Sequence, residues 1–502
     1  MKVFSFPRPL GARVAAAHTA DPRRVRLAFL AVLAAVVFLT SAKYVAKIAK
    51  PGDKGAQSRS AFLRWREMIN DVFTGENIYV GANEYPNPPI MAVLLRPFAA
   101  LPPTAGALAW FYTKVLLAAL AAVWVFRLAG ARATPQPPPC GEGEKDLSDS
   151  SAPGDTQEVK RSATPSPQGG GWGVGFRLDL ARAAAVVLCL PALLGDLSHN
   201  NVNIFILFLV VGCLEAFRRR LDTLAGLTLA LAIACKVTPL LFVAYFAWKR
   251  CWRVLAATLA GLVLWLAVVP GLTFGWDRNR ELITGWYALM VERPLLKGEI
   301  TTEHPNQALT GFVYRMFTHS PSYITYLKTP EGDIPTPAEY HNLADIGRPA
   351  AWVVVKLLTA GFALAVVLLC RLPVRGPDDA RRGWRFAAEC GLICLGMLLF
   401  SERTWKHHAV VLLVPLAALT YAVATAGLSR RVRTLVTGAL VASFVLTAGP
   451  GLLPGRGNDL AMVYGTHTIA FLLLAGAVGL LLACRSERTG GSGGLCPAPI
   501  PG

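Results

Sequence analysis

Apolar residues in this chain come in long blocks of membrane-spanning size. Leu27–Tyr44, Ala105–Phe126, Leu178–Leu194, Val202–Phe217, Val254–Leu272, Ala350–Cys370, Phe386–Phe400, Ala409–Ala426, Leu435–Leu453 and Met462–Cys484 approach the about 20 residues that cross a bilayer as a helix. The alternation that marks a transmembrane barrel is missing. Ile90–Leu101 is short and bounded by prolines, and Leu221–Trp248 is interrupted by Lys236-Val237-Thr238-Pro239. Basic loops flank the second segment, so it is expected to go out and return, with Lys236 and Pro239 at the turn. The pattern predicts an all-α polytopic integral membrane protein with roughly 11–13 membrane helices.

A different period runs through 62–73. Phe62, Trp65, Ile69 and Phe73 recur at helical spacing beside Arg64, Arg66 and Glu67. That spacing predicts an amphipathic helix on the membrane surface, within an external loop spanning 45–88. Residues 133–175 and 485–502 are rich in Pro, Gly and Ser, and read as a disordered cytoplasmic loop and a disordered tail. The remaining divisions are a basic cytoplasmic N-terminus over 1–26, a membrane part over 27–132, and a membrane catalytic module over 176–484 with an external loop at 274–348. The first apolar run is too long for a cleaved signal and lacks a small-residue cleavage site, so a retained anchor is expected.

Composition agrees. Hydrophobic residues make up 54% and charged residues 16%, where a soluble chain carries about 25% charged. Mean hydropathy is +0.44. The net charge of +19 would suggest nucleic acid in a soluble protein. Here the excess lies in short loops, at Arg218-Arg219-Arg220, Lys249-Arg250 with Arg253, Arg371 to Arg385, and Arg430-Arg431 with Arg433. That is the positive-inside pattern, which records topology and sets nucleic acid aside as a partner. The 10 cysteines form no metal-binding spacing, and most lie within the apolar runs.

The polar islands between these runs carry the candidate chemistry. They are Tyr85-Pro86-Asn87-Pro88-Pro89, Gly195 to Asn203, Lys236-Val237-Thr238-Pro239, Glu303-His304-Pro305-Asn306-Gln307 with Arg315, and Ser401-Glu402-Arg403-Thr404-Trp405-Lys406-His407-His408. Placing the basic loops inside puts these islands on the external side. Unpaired charge at the edge of hydrocarbon is costly, so such clusters tend to mark functional sites. Lysines, arginines and histidines suit a phosphate; amides and Trp405 suit a sugar. His199 is read as a cap on its span, or as part of the cavity. Asp196 is read as a helix cap or as the balance to a cation. Glu402 and Arg403 are read as neutralising one another.

In this order the islands resemble glycosyltransferase family 87, polytopic enzymes of the GT-C fold. The resembling elements are Gly75 to Tyr79, Tyr85 to Pro89, Leu94 to Pro102, Asn201-Val202-Asn203, Ala225-Gly226 through Pro239, Asn306 to Leu309 with Arg315, and Ser401 to His408. The resemblance implies a GT-C fold in the cell membrane and an extracytoplasmic active site. It implies transfer of a hexose, mannose, from a polyprenyl-phosphate donor to a lipid or glycan acceptor, with inversion and with no metal or other cofactor. It assigns Lys236, Arg315, Lys406, His407 and His408 to the donor phosphate. Tyr85, Asn87, Asn203, Asn306, Gln307 and Trp405 go to the sugar or acceptor. The family carries an acidic base near the position of Ser60 or Ala61, and this chain has no acid there. Glu67, Asp53 and His407 are therefore the candidate catalytic groups, with Asp71 and Glu402 behind them. The alternatives are a transporter or flippase of lipid-linked glycans, and an inactive relative.

Overall fold

A computed structural model describes residues 21–49, 60–80, 85–130, 173–296, 299–329, 332–375 and 378–484. The expected cytoplasmic N-terminus up to 20, most of the loop at 133–175 and the tail from 485 lie outside the described residues. So does the candidate base Asp53.

Each long apolar run becomes a helix. α1 (Pro22–Ile48) leads to the amphipathic α2 (Ala61–Thr74), the short α3 (Pro89–Ala99) and α4 (Pro103–Ala129). Then come α5 (Val174–His199), α6 (Asn203–Arg218), α7 (Asp222–Cys235) and α8 (Leu241–Trp248). α9 (Trp252–Phe274), with a π-helical turn at Leu264–Val268, and α10 (Trp276–Tyr287) follow. α11 (Leu309–Phe317), strands β1 (Pro321–Thr329) and β2 (Gly332–Tyr340), α12 (Arg348–Leu369) and α13 (Trp384–Leu399) come next. The chain closes with α14 (Lys406–Thr425), α15 (Arg430–Ala448), α16 (Gly457–Val463) and α17 (Thr466–Ala483). Among the described residues, eight helices are long and apolar enough to cross a membrane. Shorter apolar helices are α3, α7 and the Thr238–Trp248 segment that contains α8. α13 is buried from Phe386 to Leu399, so its apolar surface faces protein on every side.

Contacts between loops sort the molecule into two ends. Arg381 donates to Phe217 O at 2.9 Å and pairs with Asp222; Lys249 donates to Cys370 O at 2.9 Å; Arg220 donates to Val374 O at 3.4 Å. Arg26 pairs with Asp179 at 2.6 Å. These basic loops form one end. The polar islands gather at the other, where Gln307 N donates to Thr404 O at 2.6 Å and Asn201 meets His407.

Between the ends, a Cβ added at Gly226 would lie 2.4 Å from Val254 O and 2.6 Å from Ala257 Cβ. One added at Gly261 would lie 2.6 Å from Ala230 Cβ. α7 and α9 therefore run parallel in close contact, and α8 must return between them. The segment goes out and back as the sequence suggests, with Lys236 at the turn.

One expectation needs correction. The apolar stripe of α2 was expected against the membrane surface. Phe62 and Ile69 are instead fully buried in the protein, and Trp65 packs edge-on to Tyr85 at 6.1 Å. α3 and α4 supply the apolar partner, since a Cβ at Gly106 would meet Phe98 O and Phe62. Ser60 caps the start of α2, and Gly75 ends it at φ 103°. The helical fold is the expected one, and within the 274–348 loop it carries one small addition, an antiparallel hairpin of β1 on β2.

Candidate active site

The break after α7 places Lys236 at the polar end with extended backbone, φ −156° and ψ 127°. Lys236 Nζ donates to Asn203 Oδ1 at 2.6 Å. Asn203 Nδ2 donates to Asp196 Oδ1 at 3.0 Å, and the backbone N–H of Asn203 donates to the same oxygen at 3.2 Å. The other carboxylate oxygen accepts from Lys114 Nζ at 3.1 Å. Lys114 and Asp196 are both fully buried, and Lys114 also donates to Asp196 O. Asp196 thus does both things read for it, since it receives the first N–H of α6 and balances a cation. Burial pulls the Lys236 ammonium down from 10.5 to about 8, and the charge of Asp196 opposes that fall.

Lys236 and Asn203 line a small cavity with Thr238, Ser401, Thr404 and His408, floored by Ile206, Met397 and Leu398. His408 Nδ1 accepts from Trp405 N at 3.4 Å, which leaves its proton on Nε2. The neighbouring His407 is ordered by Asn201. Asn201 Oδ1 accepts from Val202 N at 2.7 Å, so its Nδ2 faces His407 Nε2 at 3.2 Å. That nitrogen is the acceptor, and the ring proton belongs on Nδ1. His199 ends α5 and lies over His407 with ring centroids 4.9 Å apart. Lys47 donates to Ser198 O at 2.9 Å, which brings a further cation beside His199.

Several expected site residues do not reach this cavity. Arg315 is fully buried, and its guanidinium donates to the carbonyls of Val463, Thr302, Glu303, Asn306 and Met462. It ties loops together, where the sequence suggested a phosphate ligand. Burial lowers its pKa to about 10. Asn306 donates to Thr301 O and Glu402 O and accepts from Thr404 N and Ala308 N. Gln307 donates to His304 O and Met462 O. Both amides are fully buried, where sugar contacts were expected: Asn306 staples the octapeptide to the 301–308 loop, and Gln307 ties that loop to Met462.

Tyr85 and Asn87 are buried beneath α2, with Asn87 O accepting from Tyr79 Oη at 2.7 Å. Trp405 and Lys406 are exposed; Trp405 meets His407 edge-on at 5.5 Å. Lys406 lines a separate small cavity with His467 and Thr447. Glu402 pairs with Arg403 at 3.1 Å, as read from the sequence, and burial nevertheless raises its carboxyl above the usual range.

Glu67 is not among the residues that line the Lys236 cavity. Glu67 is exposed on α2, away from its buried stripe. At the expected acid position stands Ser60, fully buried, with Tyr44 Oη at 2.8 Å. Tyr44 in turn accepts from Asn200 Nδ2 at 2.8 Å. Lys114, the partner of Asp196, is the functional-site candidate that reading the sequence missed. A lysine inside the Ala105–Phe126 run was the available signal.

The chain is 26% identical over 275 residues to the polyprenol-phosphate-mannose-dependent alpha-(1-2)-phosphatidylinositol mannoside mannosyltransferase of Mycolicibacterium smegmatis. That match takes in 52% of this chain and 53% of the relative, so the chain spans about half the length of that protein. Among solved structures, ArnT from Cupriavidus metallidurans is similar in the apo state at 13% identity and TM-score 0.36, over 91% of this chain and 76% of that one. The same protein bound to undecaprenyl phosphate gives 14% and 0.38, over 91% and 77%. A likeness of that order carries no weight for fold or reaction. The family comparison reaches further. It covers residues 85–402, from Tyr85 through the Lys236 break to the start of the octapeptide, and by it the chain belongs to glycosyltransferase family 87.

Proposed function

We propose that this protein transfers a hexose, mannose, from a polyprenyl phosphate to a lipid or glycan acceptor, in the cell membrane and on the face away from the cytoplasm. One observation carries the reading: Lys236, His408 and Asn203 converge on a single cavity at the polar end of a family 87 chain. In this reading Lys236 and the Nε2–H of His408 hold the donor phosphate and stabilise the charge that grows on it as the glycosidic bond breaks. A hydroxyl of the acceptor attacks the anomeric carbon from the opposite side, with inversion, and no metal takes part. Asn203 and Trp405 are the sugar contacts retained from the sequence reading. The orientation rests on the basic end, whose loops carry the positive-inside excess.

The test incubates purified protein with polyprenyl-phosphate mannose and native membrane lipids, and follows mannolipid by mass spectrometry. New mannolipid is expected. Demonstrated donor binding without transfer from any polyprenyl-phosphate sugar would sink the reading. A cysteine at Ser401 that reacts with an impermeant label from the cytoplasmic side would overturn the orientation.

A further inference from the structure

A cavity of about 730 Å³ opens at the basic end, far along the chain's fold from the site just described. It lies between the end of α8 and the end of α12. Val367, Leu368, Leu372 and Pro373 line its apolar side, and Arg250, Arg371 and Arg375 its charged side. Among the described lining residues none is acidic. Its walls are tied to one another. Lys249 donates to Leu372 O at 2.8 Å and pairs with buried Glu389 at 2.7 Å. Trp248 Nε1 donates to Cys370 O at 3.1 Å, and Arg375 donates to the carbonyl of Arg250. The Lys249 charge is therefore balanced from behind by Glu389, whereas Arg250 and Arg371 are exposed at the cavity.

Arg250 takes φ 56°, a conformation that favours glycine. The turn carries an arginine at a backbone position where glycine would cost least, so turn geometry does not account for the residue. The surroundings are those of a membrane interface. Trp248 is 48% exposed beside the cavity, and Leu368, also exposed, belongs to the lipid-facing α12.

We propose that this cavity binds an anionic phospholipid, with its phosphate against Arg250 and Arg371 and its acyl chains along Val367 and Leu368. Guanidinium groups match phosphate geometry, and basic pockets between membrane helices on the cytoplasmic side hold acidic headgroups. A free phosphate would use the arginines alone and leave the apolar wall idle.

The experiment uses the full chain, purified in detergent and examined by native mass spectrometry with phosphatidylglycerol or phosphatidylcholine. Phosphatidylglycerol should be retained roughly tenfold more than phosphatidylcholine. Arg250→Gln with Arg371→Gln should abolish that preference. Leu368→Trp, which fills the apolar side and keeps both arginines, should lower phosphatidylglycerol retention by itself. Inorganic phosphate should not displace the lipid. Equal retention of the two lipids, an unchanged preference in the double arginine variant, unchanged phosphatidylglycerol retention in Leu368→Trp, or displacement by inorganic phosphate would overturn the proposal. Mannosyl transfer is not read, so the outcome is independent of the reaction proposed above.

Discussion

Lys114 and Asp196 form an ion pair at 3.1 Å with both side chains closed to solvent, and Asp196 hands its other oxygen to Asn203, the acceptor for Lys236. A membrane-buried pair is costly to make and more costly to break. Asp196→Asn should destabilise the protein by about 3–5 kcal/mol, because Lys114 is left charged and alone. Lys114→Met with Asp196→Leu should recover much of that loss while donor affinity stays low, since Asn203 no longer has its anchor. Thermal unfolding in detergent and donor titration separate the two effects.

Donor binding should depend on the Lys236 proton. The group is cationic below about 8, so affinity for a polyprenyl phosphate should fall as pH rises through that value. Stability runs the other way. The folded value lies below the ordinary 10.5, so between about 8 and 10.5 the unfolded chain holds more protons, and the burial penalty is relieved as pH rises. Lys236→Arg should remove the fall in donor affinity near pH 8. A binding series from pH 6.5 to 9.5, on both forms, checks this.

Arg315→Ala should unfold the polar end. Five carbonyls lose a charged donor at once, and each such bond contributes about 1.5–3 kcal/mol when made. The expected readout is a large drop in melting temperature, with Arg315→Lys failing to restore it. If the variant melts normally and loses only donor affinity, Arg315 is a ligand after all.

Asn201→Leu should lower turnover by about 100-fold with little change in melting temperature, because it frees the His407 ring from its fixed tautomer and angle. Steady-state kinetics beside a melting curve is the check.

Glu67→Gln should leave turnover unchanged, since Glu67 is exposed on the face of α2 opposite the core. A parallel Asp53→Asn variant gives the comparison. Loss of turnover in Glu67→Gln at normal stability would restore Glu67 as the base.

The membrane architecture was legible because burial in lipid demands continuous apolar runs, and these ended within a few residues of the observed helices. Family membership was legible for a similar reason, as the order of the islands survives in the chain. Roles within the islands were not legible. An amide that staples two loops and an amide that meets a sugar look alike in sequence, so spacing did not reveal that Asn306 holds the octapeptide and Gln307 holds Met462. The five carbonyl partners of Arg315 were equally hidden. The partnership of Lys114 with Asp196 joins positions too distant in the chain for spacing to reveal. The β-hairpin was hidden inside a loop identified only by its polarity.

The close contact of α7 with α9 makes a lever. Gly226 is ten residues from Lys236, about 15 Å along the helix. No Cβ fits there without moving Val254 O or Ala257. One methyl group at that remote point would tip the whole rod and swing its far tip, carrying the ammonium out of register with Asn203. The aim of the cation is therefore set by the absence of an atom on the opposite half of the helix.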